Sequence, residues 1–305
     1  MIKKLTARIN EYFIGKEDVV KDLLICFLGG GHVLLEDVPG VGKTTLARIL
    51  AKSVNSSFGR IQFTPDTLPS DILGISIYNP KTTEFEYKEG ALMHQIILAD
   101  ELNRTSPKTQ SALLEAMEER QVTVDGVKYK LPNPFMVVAT QNPIDFLGTY
   151  PLPEAQLDRF MMRISVGYPS DEQEVHMAMN YISGKTIDTI ESICTSEDIL
   201  KMKEEVNKVE ISEAVIGYAQ KIVAETRKSS SFVIGASPRA LLSLIKASQA
   251  HAYIEGREYV KPDDIKAVSV NVLHHRLVLT QEAKLKKEDM DKLIMNLVLK
   301  VKIPM

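Results

Sequence analysis

The sequence predicts an α/β domain built around a parallel sheet, followed by a smaller domain made of helices alone. Short apolar runs alternate with helical patterns over residues 14–168, and this alternation is typical of βαβ units. Only helical periodicity follows the segment Tyr168-Pro169-Ser170. The 305 residues, 44% hydrophobic and 25% charged, suit a globular chain with one large and one smaller domain. We therefore expect an α/β core over residues 1–169 and a helical domain over residues 170–305.

Three apolar runs predict buried strands of the sheet. They cover residues 32–35, 95–99 and 135–139, and each ends at a polar or glycine-rich turn. In an open parallel sheet, ligands bind outside the carboxyl ends of the strands. The segments that follow these three runs therefore form the predicted functional site.

A helix and two hairpins complete the predicted core. Ser106 fits an N-cap, Pro107 fits the first helical position, and good helix formers follow them. Residues 121–129 alternate around Asp125-Gly126, which is a strong hairpin signal. Residues 74–89 are a second candidate hairpin. Both hairpins are expected as insertions in the core.

Five helical patterns predict the smaller domain. They cover residues 171–182, 196–209, 212–228, 237–255 and 262–278. The last pattern contains the pair His274-His275. Because adjacent residues on a helix point about 100° apart, these histidines do not form a joint metal site. We expect them to be solvated or half-buried.

The segment after the first predicted strand has the pattern of a phosphate-binding loop. Gly40 and Gly42 leave backbone N–H groups open to phosphate oxygens, and the following helix adds the positive end of its dipole. Lys43 places a charge against the β- and γ-phosphates, and the Thr44 hydroxyl can ligate Mg²⁺. Asp37 stands where the common pattern has glycine, so a helix-capping loop that contains Gly-Lys-Thr is the alternative. The predicted nucleotide contacts are Val38, Pro39, Gly40, Val41, Gly42, Lys43, Thr44 and Thr45.

The second predicted strand ends in two acidic residues, Asp100 and Glu101. A carboxylate at this end of the sheet would lie beside the phosphate loop, where Asp100 can hold Mg²⁺ through water. Glu101 can polarise the attacking water. The alternative is a solvated acidic turn after a buried strand. The order and separation of the two motifs favour the catalytic interpretation.

The sequence resembles the MoxR family of AAA+ ATPases over nearly the whole chain. This resemblance implies a AAA+ P-loop NTPase core followed by a helical lid, and within the family the Asp37 departure is normal. The segments that carry it are residues 35–44, 100–104, 107–119, 139–143, 152–160 and the motif Ser237-Pro238-Arg239 with the helices after it.

The resemblance also implies roles for three polar residues. Asn142 matches a sensor that orients the lytic water, and an ordinary Asn-Pro turn is the alternative. Arg159 matches an arginine finger that acts on a neighbouring subunit's ATP, and a salt bridge with Asp158 or Glu154 is the alternative. Arg239 matches a second sensor at the start of a lid helix. Its alternative is a solvated arginine in the first turn.

Further expectations follow from the same resemblance. Ile14 and Gly15 match the segment near adenine, although family members often have glutamine where Lys16 stands. Arg104 has no assigned role and could touch a neighbouring subunit or pair locally. The hairpins at about residues 71–89 and 122–132 match insertions that engage substrate, with ordinary solvent-exposed hairpins as the alternative.

The predicted function is that of a chaperone-like remodelling ATPase. The resemblance implies ATP and Mg²⁺ as cofactors, a homo-oligomeric, hexameric ring, a client protein and a partner with a von Willebrand factor A domain. The alternatives are a nucleotide-gated assembly module with little turnover and a DNA-directed motor. The net charge of −3 does not favour nucleic-acid binding. The two cysteines lack disulfide or metal spacing, and no membrane span or signal peptide is predicted, so a cytoplasmic location is expected.

Overall fold

The computed structural model describes residues 1–142 and 149–304. Its backbone contacts divide the chain into two compact units, each built from separate stretches of sequence. The first unit comprises Met1–Val20, His32–Leu152 and Ser165–Leu200. The second unit comprises Lys21–Gly31, Pro153–Ile164 and Lys201–Met305. The predicted domain boundary at residues 169 and 170 stays a prediction.

The strands are short, as is usual for an α/β protein. In chain order they are β1 Val33–Glu36, β2 Phe58–Gln62, β3 Gly74–Asn79, β4 Glu84–Glu89, β5 Ile96–Asp100, β6 Gln121–Val124, β7 Val127–Lys130, β8 Met136–Gln141, β9 Met162–Ile164, β10 Phe232–Ile234 and β11 Val278–Leu279.

The helices range from a single turn to more than four turns. None in the described part of the chain is long and apolar enough to cross a membrane. They are α1 Ile2–Tyr12, α2 Glu17–Leu28, α3 Lys43–Ser53, α4 Pro69–Leu73, α5 Pro107–Glu119, α6 Glu154–Leu157, α7 Asp171–Ile182, α8 Ser196–Lys208, α9 Glu213–Lys228, α10 Pro238–Ile254, α11 Pro262–Leu273, α12 Gln281–Leu285 and α13 Met290–Lys300.

The first unit is built around a parallel sheet to which four of its strands belong. These four run parallel in the order β2-β5-β8-β1, so β5 and β8 are central within the unit. The apolar side chains of β1, β5 and β8 are buried, and α3 packs against β5. The α/β class and the three predicted strands are therefore confirmed. The prediction missed β2 and β9, which alternate or are very short and so lack a continuous apolar run.

The helix and both hairpins of the first unit are also confirmed. The Ser106 hydroxyl accepts a hydrogen bond from the Thr109 N–H, so it caps α5. Strands β3 and β4 pair antiparallel, as do β6 and β7. Asp125 and Gly126 both have positive φ, 49° and 82°, which a two-residue turn of type I′ requires.

The second unit is a helical bundle with a small two-stranded sheet. Helix α11 packs against both α10 and α13, and α9 contacts α10 and α13. The predicted helical region is therefore confirmed, and the antiparallel pair β10 and β11 is a small addition that the sequence did not predict. The predicted helix over residues 262–278 also ends early, at Leu273, and a 3₁₀ turn follows over His274–Arg276.

His274 is half-buried, as expected, but the early end of α11 corrects the expectation for His275. His275 is only 8% exposed, rather than solvated or half-buried. Its imidazole Nε2 lies 2.9 Å from the carbonyl oxygen of Phe160. Burial in this pocket lowers the pKa of His275 well below its usual value, so the ring is neutral near pH 7.

Candidate functional site

The predicted phosphate loop connects β1 to α3. Gly40 and Gly42 have φ of 88° and 91°, a left-handed conformation that favours glycine. No side chain caps the start of α3, where Gly42 is the N-cap. The first N–H groups of a helix have no partner within the helix, so here they are available to anionic oxygens.

Lys43, the first residue of α3, is half-buried. Its Nζ donates a hydrogen bond of 2.6 Å to the backbone carbonyl of Asp37. Burial lowers the pKa of Lys43, while the charges of nearby carboxylates, among them Asp100 and Glu101, oppose that shift. The phosphate loop and the acidic end of β5 are therefore close enough to interact electrostatically.

Asp37 braces this loop against the segment that follows β9. Its Oδ2 accepts hydrogen bonds from the Ser165 hydroxyl at 2.9 Å and the Gly167 N–H at 2.6 Å. Its Oδ1 accepts one from the Val38 N–H at 2.8 Å. Burial favours a higher pKa for Asp37, but these donors prevail and lower it below the usual value. The departure from glycine thus has a structural consequence that the loop pattern alone did not reveal.

The acidic pair at the end of β5 is held by a threonine on β8. Thr140 donates from its hydroxyl to Asp100 Oδ1 at 2.6 Å and accepts from the Glu101 N–H at 2.9 Å. The other oxygen of Asp100 accepts from Arg60 on β2 at 2.7 Å. Sequence reasoning missed Thr140 and Arg60. Thr140 lies in a segment that carries the family resemblance, which was the available signal.

Glu101 adopts a left-handed backbone conformation, with φ of 58°. Its Oε2 accepts a hydrogen bond of 2.9 Å from the Gln62 amide on β2 and pairs with Arg104 at 3.2 Å. Arg104 therefore makes a local ion pair, one of the two possibilities left open for it. Gln62 was not predicted, because nothing in its local sequence distinguishes it from another polar residue at a strand end.

Asn142 directly follows β8, which lies between β5 and β1 in the sheet. This strand order brings Asn142 to the same edge of the sheet as the phosphate loop and the acidic pair. Pro143, the next residue of the predicted Asn-Pro turn, lies outside the described residues.

The segment predicted to lie near adenine is tied to the start of α7. Gly15 has φ of 70°, and its carbonyl accepts a hydrogen bond of 3.0 Å from the Gln173 amide. Lys16 donates to the carbonyl of Tyr168 at 2.8 Å. Ile14 and Thr45 line the same cavity, of about 360 Å³. The predicted adenine segment and the predicted phosphate loop, which lie on opposite sides of α2 in sequence, therefore line one cavity.

Arg159 and Arg239 belong to the second unit. Arg239 lies in the first turn of α10, whose N-cap is Ser237. Its guanidinium is 3.7 Å from Asp158 Oδ2, and the Ser237 hydroxyl donates to the same oxygen at 2.8 Å. Asp158 also pairs with the buried guanidinium of Arg276 at 2.7 Å. Arg276 is a further residue that the sequence prediction missed, because it was assigned to the end of a long helix.

Comparison with protein families gives two matches along the chain. Residues 32–162 match the ATPase family associated with various cellular activities (AAA). Residues 224–296 match the AAA lid domain. The two matches follow the order predicted from the sequence, with the α/β region first and the helical region second.

Individual proteins resemble the chain over most of its length. It is 48% identical to the uncharacterized protein YeaC of Bacillus subtilis, over 100% of this chain and 95% of that protein. It is 42% identical to the chaperone MoxR1 of Mycobacterium tuberculosis, over 92% of this chain and 77% of that protein. Protein MoxR of Paracoccus denitrificans is 30% identical, over 90% of this chain and 87% of that protein.

A solved structure supports the same relationship. The crystal structure of an ATPase candidate from Cytophaga hutchinsonii superposes on the chain with a TM-score of 0.92 and 41% sequence identity. The match covers 100% of this chain and 95% of that chain. Such agreement over the full length extends the likeness from the motifs to the whole fold.

Proposed function

Because the chain belongs to the MoxR family of AAA+ ATPases, we propose that it hydrolyses ATP at the interfaces between subunits of a ring and thereby remodels a client protein. The family membership makes the chain a nucleotide-binding ATPase. The roles of individual residues, the interface and the client form the proposal.

The observation that carries the proposal is the strand order β5-β8-β1, which places the acidic pair after β5 and the phosphate loop after β1 at the same edge of the sheet. The charges of Asp100 and Glu101 act on the Lys43 ammonium, and Thr140 holds both acidic residues at the end of β5. ATP hydrolysis needs a cation for the phosphates, an oxygen ligand for Mg²⁺ and a group that polarises water. This cluster has all three types of group.

We expect the triphosphate to lie along the residues Val38–Thr45 with its base toward the cavity lined by Ile14. Lys43 now donates to the neutral carbonyl of Asp37, and a phosphate oxygen offers it a charged, stronger acceptor. Nucleotide binding therefore requires Lys43 to exchange one partner for another. The open N–H groups at the start of α3 would bind the remaining phosphate oxygens.

The oxygen donors near the loop suit Mg²⁺, which enters with ATP. Magnesium prefers oxygen ligands and keeps several of its waters when bound to protein. The Thr44 hydroxyl would bind it directly. Both oxygens of Asp100 already accept hydrogen bonds, from Thr140 and Arg60, so this carboxylate fits a contact through water. The ion would neutralise charge on the phosphates.

Glu101 is the proposed group that polarises the attacking water. The donors Gln62 and Arg104 hold one of its oxygens, which leaves the second oxygen of the carboxylate for a water molecule. Asn142, at the end of the neighbouring strand, would orient that water near the γ-phosphate. An amide suits this role because it both donates and accepts.

The two arginines of the second unit would act on different nucleotides. We propose that Arg239 contacts the ATP of its own subunit and that Arg159 reaches the ATP of a neighbour in a homo-oligomeric, hexameric ring. A guanidinium is permanently charged and planar, so it can stabilise charge on the transferred phosphoryl group. Hydrolysis would then depend on assembly.

The client would contact the hairpin formed by β3 and β4. Phe85 is 75% exposed, and Tyr78 packs against it edge-to-face with ring centroids 5.5 Å apart. Ile75 and Ile77 on the same hairpin are each 43% exposed. Exposed apolar groups of this kind mark surfaces that bind other proteins. A protein with a von Willebrand factor A domain remains the proposed partner, by resemblance to the family.

Three variants test the proposal. Lys43→Ala should lose ATP affinity, whereas Glu101→Gln should bind ATP and fail to hydrolyse it. Arg159→Ala should bind ATP and hydrolyse it about 10³-fold more slowly or worse, because an arginine finger contributes about 10³–10⁵ to the rate. Normal turnover by assembled Arg159→Ala would remove the role in trans. A partner captured by Glu101→Gln that leaves the wild-type ATPase rate unchanged would favour nucleotide-gated binding over remodelling.

A further inference from the structure

Arg276 lies in the second unit with its side chain only 1% exposed, and it bonds both to side chains and to several backbone carbonyls. Its guanidinium donates to the carbonyls of Phe160 at 2.7 Å, Met161 at 3.0 Å and Asp158 at 3.2 Å. A buried charge that satisfies three carbonyls of one short segment fixes the path of that segment.

The three carbonyls lie on both sides of Arg159. Asp158 precedes it, and Phe160 and Met161 follow it, so the backbone of Arg159 is held from each direction. The Nε2 of His275 meets the same Phe160 carbonyl, and because a carbonyl only accepts, Nε2 carries the hydrogen. Arg276 and His275 therefore converge on one peptide unit next to Arg159.

The carboxylate of Asp158 extends this network to α10. Its Oδ1 accepts from Arg276 Nε at 2.7 Å, while its Oδ2 accepts from the Ser237 hydroxyl at 2.8 Å. Ser237 is the N-cap of α10, and Arg239 follows it two residues later at 3.7 Å from Oδ2. One carboxylate therefore links the segment of Arg159 to the helix end that carries Arg239.

We propose that Arg276 is a positioning residue for Arg159, and that its pairing with Asp158 joins the arginine that acts on the neighbour's ATP to the one that acts on the subunit's own ATP. The inference rests on the proposed roles of Arg159 and Arg239. Removing the planar fork of Arg276 would leave Arg159 present in the chain but displaced from its working position.

The first measurement is ATPase kinetics of Arg276→Lys. Lysine keeps the charge beside Asp158 but cannot bond several carbonyls as a fork. A displacement of about 1 Å costs about 10²-fold in rate, so we expect kcat to fall about 10- to 100-fold. KM for ATP should change less than about threefold, because the phosphate loop is unchanged and lysine keeps a charge beside Asp158, whose carboxylate contacts Ser237 and Arg239. Ser243→Ala is the matched control, since it removes only the hydroxyl that accepts from Arg276 at 3.0 Å and leaves every carbonyl contact.

The decisive measurement mixes Arg276→Lys with Glu101→Gln subunits. Each variant alone is defective, but a Glu101→Gln subunit has an intact Arg159 to offer the site of an Arg276→Lys neighbour. With equal amounts and random assembly, about one quarter of the interfaces combine an intact Glu101 with an intact Arg159 segment, so about a quarter of the wild-type rate should return. Lys43→Ala mixed with Glu101→Gln should recover nothing, because both defects then lie in the subunit that binds the ATP.

The mixture of Arg159→Ala with Glu101→Gln separates this inference from the proposed function. If that mixture stays inactive, Arg159 does not act in trans and both ideas are wrong. If that mixture recovers ATPase activity but the mixture of normally assembled Arg276→Lys with Glu101→Gln does not, then Arg276 has only a structural role and the positioning role is overturned. Should Arg276→Lys fail to assemble, Arg276→Gln is judged by the same recovery.

Discussion

Replacing Asp37 by glycine restores the residue that the common phosphate loop has, and removes the brace that this chain has instead. The carboxylate accepts hydrogen bonds from Val38, Ser165 and Gly167. Buried bonds of this kind contribute about 1.5–3 kcal/mol each, and the partly exposed position reduces each to about 1 kcal/mol. Glycine also increases the conformational entropy of the unfolded chain, which lowers the stability of the folded state by a further amount of about 0.4–1 kcal/mol. We therefore expect Asp37→Gly to lower the free energy of unfolding by about 3–4 kcal/mol.

The pH dependence of this loss has a definite sign. The folded pKa of Asp37 is lowered, so its contribution to stability is complete above the unfolded value of about 3.9 and is lost as pH falls through the folded pKa. The difference between wild type and Asp37→Gly should be full at pH 7 and shrink below about pH 4.

Urea unfolding followed by circular dichroism measures this difference, since the chain has no tryptophan to report by fluorescence. Ser165→Ala is the partial control, because it removes one donor and should cost about 1 kcal/mol. The KM for ATP should also rise in Asp37→Gly as the loop loosens. Equal unfolding midpoints for wild type and Asp37→Gly at pH 7 would refute the bracing role.

Three further predictions concern other parts of the molecule. Thr140→Val removes the hydroxyl that holds Asp100 and Glu101, and should cost about 1–3 kcal/mol of stability and about 10-fold in kcat; an unchanged kcat in steady-state assays would contradict this. Phe85→Ala should abolish client capture in a pull-down while stability changes by less than about 0.5 kcal/mol and basal ATPase activity is kept, because this ring is largely exposed. The pKa of buried His275 is lowered, so its contribution to stability is present near pH 7 and is lost as pH falls below about 6.5. The Tm of His275→Gln should therefore fall less between pH 7 and pH 5 than the Tm of wild type, as measured by thermal unfolding.

Much of the fold followed from local pattern. The strands β1, β5 and β8 are continuous apolar runs, and the hairpin turn at Asp125-Gly126 has the residues that its positive φ values require. Strand β2 escaped prediction because its residues alternate between buried and exposed, so it has no continuous apolar run, and its pairing with β5 is a contact between distant parts of the sequence. The helical pattern past Leu273 was misleading, since a 3₁₀ turn replaces the helix where Arg276 bonds to distant carbonyls.

The sequence by itself determined which chemical groups are available, because a glycine-rich loop with Lys43 and Thr44 and a strand ending in Asp100-Glu101 are local arrangements with a fixed order. Only the tertiary structure decided how those groups are held. Thr140 meets Asp100 across 40 positions of sequence, Asp37 meets Gly167 across 130, and Arg276 meets Phe160 across 116. Such contacts depend on strand order and chain packing, which no short window of sequence contains. The physical reason is that a hydrogen bond depends on distance in space, whereas a motif records only distance along the chain.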